Sequence, residues 1–143
     1  MSGRGLVLGL TLLGLGARAV APKQPGGIAW LRDESRAFSE SRRTGKPVLV
    51  DAWAEWCAGC RLLDRDTWSD PDVQHEVRAH FVPLRIDFTA EDAAADVRKE
   101  KYGVEALPTV LACKAPECAA PAARRVTGFL RPAEMLAFLA GGR

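Results

Sequence analysis

Four cysteines stand in two close pairs, Cys57 with Cys60 and Cys113 with Cys118. A thiol can act as a nucleophile, ligate a metal or close a cross-link, and its surroundings decide among these. The first pair brackets Ala58 and Gly59. Before it lies an apolar run, Val48 to Val50, which reads as a buried strand ending in Trp53, Ala54, Glu55 and Trp56. After it the period changes to Leu62 and Leu63, then the charged Asp64, Arg65 and Asp66, as a helix requires. A Cys-x-x-Cys pair at such a strand-to-helix junction can close into a disulfide with little backbone movement. Its first thiol faces the helix N-terminus, where unpaired N–H groups stabilise a thiolate. Cys57 is therefore the candidate nucleophile and Cys60 the more sheltered resolving thiol, and the chemistry is thiol–disulfide exchange. The competing uses are a structural disulfide, or a zinc site with Cys113 and Cys118 as its other half. A zinc ribbon would set both pairs on turns rich in glycine and polar residues; the first pair is not so placed.

Two carboxylates flank the pair. Asp51 lies six residues before Cys57 in a strand that is otherwise apolar. If it is buried, its proton affinity rises, and it can carry the proton of Cys60 when that thiol attacks. Such a charge would stand uncompensated in the core. The opposing reading is a solvent-facing residue at the sheet end. Asp64 lies four residues after Cys60 and seven after Cys57, so a regular helix puts all three on one face. A solvated surface aspartate is the plainer alternative. Ala58 and Gly59 bring neither charge nor imidazole to the Cys57 thiolate, which argues for a reductant rather than a strong oxidant. His75 and His80 fall on a helix near its end, where no cysteine or carboxylate spacing supports a metal site, and read as surface or packing residues.

The elements that must position these groups follow in order. Val20 to Gly27, with two prolines and two glycines, reads as a linker. Ile28 to Leu31 is expected as a short edge strand, and Asp33 caps a helix to Arg43. Val48 to Trp53 is the central strand, and the helix after it runs from about Cys57 to Asp66. Asp70 and Pro71 open a helix to His80. Phe81 to Asp87 is a strand, and Thr89 is expected to cap a helix from Ala90 to Lys101. Thr109 to Ala112 and Arg124 to Phe129 pair across a turn, Cys113 to Ala123. Pro132 opens the last helix. The alternation implies one mixed sheet of about four or five strands, with helices on both faces.

Several stretches together carry a family resemblance: WAEWCAGC after a strand holding Asp51, then FVPLRIDFTAEDA, KYGVEALPTV and RVTGFL. From Ile28 to Leu139 they resemble the thioredoxin superfamily, and within it the periplasmic C-terminal domains of the DsbD thiol:disulfide interchange proteins. The resemblance implies a thioredoxin fold over 28–143 and a protein-disulfide reductase working through Cys57 and Cys60. It implies that Asp51 is the family's buried acid. Where DsbD domains carry a glutamate, this chain has the shorter Asp64. Leu107-Pro108-Thr109 resembles the cis-proline loop, which implies that Pro108 sits beside Cys57. Leu107 would then offer its backbone to an incoming peptide, with Trp56, Ala58 and Gly59 lining the same surface. Cys113 and Cys118 depart from the pattern and are expected to form a structural disulfide at the hairpin turn. No metal site and no cofactor is expected beyond the redox-active Cys57–Cys60 disulfide.

Composition sets the context. Arg4, the apolar Leu6 to Leu15 and Ala17-Arg18-Ala19 read as a signal peptide over 1–19, with an uncleaved membrane anchor as the alternative. Without Arg4 and Arg18 the basic residues fall from 20 to 18, equal to the 18 acidic ones. A near-neutral chain gives no reason to expect nucleic acid as a partner. Export to the periplasm permits disulfides to persist. The expected partners are periplasmic protein disulfides, of isomerase or cytochrome-maturation type, and a separate membrane-embedded electron donor. Two other readings stay open: a reductase dedicated to cytochrome c maturation, and a redox-inactive thioredoxin-fold binding module.

Overall fold

The structure is a computed structural model that describes residues 27–114, 118 and 123–143. The segment read as signal peptide, the linker before Gly27, and most of the turn between the last two strands lie outside these residues.

Four strands form one mixed sheet in the order β2-β1-β3-β4: β1 Val48–Trp53, β2 Val82–Asp87, β3 Thr109–Cys113 and β4 Arg124–Thr127. β1 runs parallel to β2 and antiparallel to β3, and β3 is antiparallel to β4. The sheet is covered on both faces, as expected. On one face Val48, Val50 and Ala52 of β1 meet Ala37 of helix α1 (Glu34–Thr44) and Ala95 and Tyr102 of helix α4 (Ala93–Tyr102). On the other, Leu49 and Val110 meet Val73 and Val77 of helix α3 (Pro71–His80), and Met135, Phe138 and Leu139 of helix α5 (Pro132–Ala140). Side chains alternate along a strand, so Asp51 points to the second face with Leu49.

Short polar signals set the helix ends. The Asp33 carboxylate accepts the Arg36 N–H at 2.7 Å and starts α1, and Asp70 caps α3 ahead of Pro71. Gly45 takes φ 73° where α1 stops, a conformation that an L side chain resists. Two expectations need correction. Ile28 to Leu31 is not a strand: only Leu31 bridges to Leu84. Thr89 does not cap α4. Asp92 does, accepting the Ala95 N–H at 2.8 Å, while the Thr89 hydroxyl accepts the Glu55 N–H at 2.9 Å. A carboxylate three residues along is the stronger cap, and it leaves Thr89 free to pin the segment before Cys57.

A third difference bears on the site. The helix after β1 is not uniform. Helix α2, Ala58–Leu62, passes directly into a π-helical turn, Leu63–Thr67. Such turns widen the spacing of one helical loop and re-aim its side chains. Here the turn buries Leu63 and Thr67, and the Thr67 hydroxyl donates to the Leu130 carbonyl.

Candidate active site at the end of the central strand

β1 ends at Trp53, and four residues later the chain enters α2 through Cys57. The intervening loop is held by Phe88 N–H to the Trp53 carbonyl (2.7 Å) and by Trp56 Nε1–H to the Thr89 carbonyl (3.2 Å). Cys57 is the N-cap of α2: the Cys60 backbone N–H donates to Cys57 Sγ at 3.1 Å. The two residues are joined in a disulfide with Cα atoms 5.3 Å apart. Both sulfur residues are buried, Cys57 at 4% and Cys60 at 1% exposure. Trp56 beside them is 54% exposed.

The Leu107–Pro108 peptide is cis and faces the pair. A Cβ added at Gly59 would lie 2.8 Å from Pro108 Cδ, so the loop closes directly over the residues between the cysteines. Gly128 N–H, donating to the Pro108 carbonyl at 2.8 Å, ties that loop to the end of β4. A cleft of about 120 Å³ runs alongside, lined by Trp56, Lys99, Val104, Glu105, Ala106 and Leu107. Of the residues expected at a partner surface, Trp56 and Leu107 line this cleft, and Gly59 and Pro108 meet beside it. A larger cleft of about 300 Å³ lies between α1 and the Ala29–Leu31 segment, at the opposite end of the sheet.

Asp51 is 1% exposed and is not the solvent-facing residue of the alternative reading. Nor is it uncompensated. Arg85 stands directly opposite it in the β1–β2 register, with Nε and Nη2 each 2.7 Å from Asp51 Oδ2. The same guanidinium reaches Asp64 in the π turn, from Nη1 at 3.2 Å and from Nη2. Its faces lie against Trp30 and Trp53, at 4.9 and 5.8 Å from the ring centroids. Asp51 Oδ1 makes no hydrogen bond among the described residues. Burial pushes the Asp51 carboxyl up from 3.8 to about 6; Asp64 adds to the rise and Arg85 opposes it. Burial works against the Arg85 charge, but Asp51 and Asp64 outweigh it, so Arg85 holds its proton more tightly than usual.

The structure thus joins Asp51 and Asp64 through a residue that the sequence reading passed over. The π turn interrupts the single helical face expected to carry Cys57, Cys60 and Asp64. The shorter Asp64 side chain nevertheless reaches Arg85. The only trace of Arg85 in the sequence is a basic residue inside the apolar part of β2, which becomes a partner for Asp51 once the strand register is known. Cys113 and Cys118 form a second disulfide, Cα atoms 5.0 Å apart, and Cys113 pairs with Val48 at the far end of β1. Among the described residues no cluster of three or more histidines, cysteines or carboxylates could hold a metal. His80 lies 3.9 Å from Glu76 on α3.

A mixed four-stranded sheet with a disulfide at the head of the helix after its central strand, faced by a cis-proline loop, defines a thioredoxin-fold protein with a dithiol–disulfide site. A family model described as thioredoxin-like matches residues 29–115, and the chain belongs to that family. Within it the chain is similar to the thiol:disulfide interchange protein DsbD. The Yersinia enterocolitica protein is 40% identical over 95 residues, covering 66% of this chain and 16% of the relative. That of Klebsiella pneumoniae is 35% identical over 125 residues, covering 85% and 20%. The chain therefore spans about a fifth or less of the length of these relatives. The oxidised C-terminal domain of Neisseria meningitidis DsbD has the same fold, with a TM-score of 0.67 at 21% identity, covering 80% of this chain and all of that domain.

Proposed function

We propose that the protein is a periplasmic protein-disulfide reductase working by dithiol–disulfide exchange through Cys57 and Cys60. The observation that carries this reading is the Cys60 N–H aimed at Cys57 Sγ at 3.1 Å. A donor at that sulfur stabilises negative charge once the disulfide is reduced, which selects Cys57 as the attacking thiolate. The thiolate attacks a client disulfide, one client sulfur leaves, and a mixed disulfide forms. Cys60 then attacks Cys57 Sγ; the Cys57–Cys60 bond closes and the second client sulfur leaves with its electron pair. Two electrons pass to the client, and a membrane-embedded thiol donor restores the dithiol. Asp51 takes the Cys60 proton during the second attack. Exposed Trp56 and the Leu107–Pro108 loop border the surface on which an extended client segment docks. Similarity to DsbD supports the periplasmic setting and the reducing direction. Among the described residues no helix is long and apolar enough to cross a membrane.

The test is insulin reduction driven by dithiothreitol, run beside trapping in periplasmic extract. The parent is expected to accelerate insulin precipitation and Cys57→Ser to abolish the effect. Cys60→Ser is expected to accumulate mixed disulfides through Cys57 on non-reducing gels. A folded parent that leaves insulin intact, with no trapped species from Cys60→Ser, would point instead to a redox-inactive binding module.

A further inference from the structure

Away from the sulfurs, the most heavily engaged charged group in the core is Arg85. It belongs to an apolar strand, is 8% exposed and contacts carboxylates from two other elements. One guanidinium facing two carboxylates carries a net negative charge when both are ionised, and is neutral when one holds a proton. In a poorly hydrated place the neutral arrangement is favoured, in keeping with the upward push that burial gives Asp51. Asp51 is the enclosed member, whereas the Asp64 side chain is 37% exposed. Asp64 follows Cys60 by four residues, in the π turn that directly continues the helix holding Cys60. Arg85 Nη2 contacts both acids at once, so a change at Asp64 is felt at Asp51.

We propose that Arg85 is a positioning residue through which solvent-facing Asp64 sets the proton affinity of buried Asp51, and with it the pH at which Cys60 resolves the mixed disulfide. This rests on the reductase reading above and on the role given there to Asp51. The step balances without an added reagent. The Cys60 proton goes to the Asp51 carboxylate, the Cys57–Cys60 bond forms, the Cys57–client bond breaks, and the client sulfur carries off the electron pair. Arg85 stays charged throughout, since a guanidinium does not deprotonate in this range. Of the other groups around Asp51, Arg32 adds a weaker attraction, and β3 sets the apolar Val110 opposite it in register.

Two substitutions act on the cluster in opposite directions. Asp64→Asn removes a negative charge and leaves Arg85 wholly to Asp51, so Asp51 ionises at lower pH. Arg85→Gln removes the cation, so Asp51 keeps its proton to higher pH. A charge at this range moves a carboxylate by roughly one to three pH units. Reduced protein is mixed with 5,5′-dithiobis(2-nitrobenzoate), and the second, resolving release of nitrothiobenzoate is followed by stopped flow from pH 4.5 to 8.5. The midpoint of its pH profile is expected to fall by about half a unit or more in Asp64→Asn and to rise by about one unit in Arg85→Gln. Urea unfolding is measured on both variants. If Arg85→Gln does not fold, Asp64→Asn decides alone. A midpoint in Asp64→Asn that stays put or rises overturns the proposal, even where urea shows a change in stability. A parent that shows no second release overturns the reductase reading instead.

Discussion

A carboxylate enclosed beside one guanidinium must still surrender most of its hydration, and Asp51 shows the balance. Arg85 lies within hydrogen-bond distance, yet burial wins and the carboxyl rises from 3.8 to about 6. Between about pH 4 and pH 6 the native protein holds a proton that the unfolded chain has already lost. Stability therefore falls as pH rises through that window. Two pH units at about 1.4 kcal/mol each put the loss at about 3 kcal/mol. Asp51→Asn resembles the protonated acid and has no such slope. It is expected to be more stable than the parent at pH 7 by up to about 3 kcal/mol, with the gain vanishing near pH 4. Urea unfolding at the two pH values measures this; an equal difference at both would mean that Asp51 does not titrate in the window. The same residue shows what a single chain can reveal. An acid inside an apolar run before a Cys-x-x-Cys announces itself. Its partner did not, because Arg85 sits where strand alternation alone would put a solvated residue. Only the pairing of β1 with β2 brings the two together.

At the scale of elements, the helix after β1 does the positioning. Its π turn aims Asp64 at Arg85 while sinking Leu63 and Thr67 into the core. Thr67 is wholly buried, and its hydroxyl donates to the Leu130 carbonyl just ahead of α5. Thr67→Val keeps the shape and removes the donor. Leaving a buried carbonyl short of its partner costs about 1–3 kcal/mol, so the urea midpoint should fall with little change in the slope. An unchanged midpoint would mean that the bond contributes nothing net. Helix ends were readable where a carboxylate or proline made the signal, as at Asp33 and at Asp70 with Pro71. They were misread at Thr89, where two candidate caps lie three residues apart and tertiary contact chooses between them. The π turn left no trace in Leu62-Leu63-Asp64-Arg65-Asp66, because one widened loop does not disturb so short an apolar pattern. Its polar contacts are with Leu130 and Arg85, residues distant in the chain.

Over the whole molecule, two disulfides stand at opposite ends of β1, and their sulfurs meet opposite electrostatics. Cys57 Sγ receives a backbone N–H, which favours a thiolate. Cys113 Sγ lies 3.7 Å from the Val48 carbonyl oxygen, which disfavours one. Burial does not separate them, for Cys57 is 4% and Cys113 7% exposed. What separates them is the donor at one sulfur, the acceptor at the other, and the exposed Trp56 next to Cys57. A good attacking thiol is also one that a reductant readily holds in its thiolate form. Under a graded dithiothreitol titration Cys57–Cys60 should therefore open first, with Cys113–Cys118 intact in both states of the site. Alkylation followed by mass spectrometry reads which pair has opened. Joint Cys113→Ala and Cys118→Ala substitution should keep insulin reduction within about twofold of the parent. So short a closed loop stabilises by only about 2 kcal/mol in the chain-entropy account, a loss that the urea midpoint should register. If both pairs opened together, or if the folded double variant lost activity, the second disulfide would belong to the electron path rather than to the scaffold.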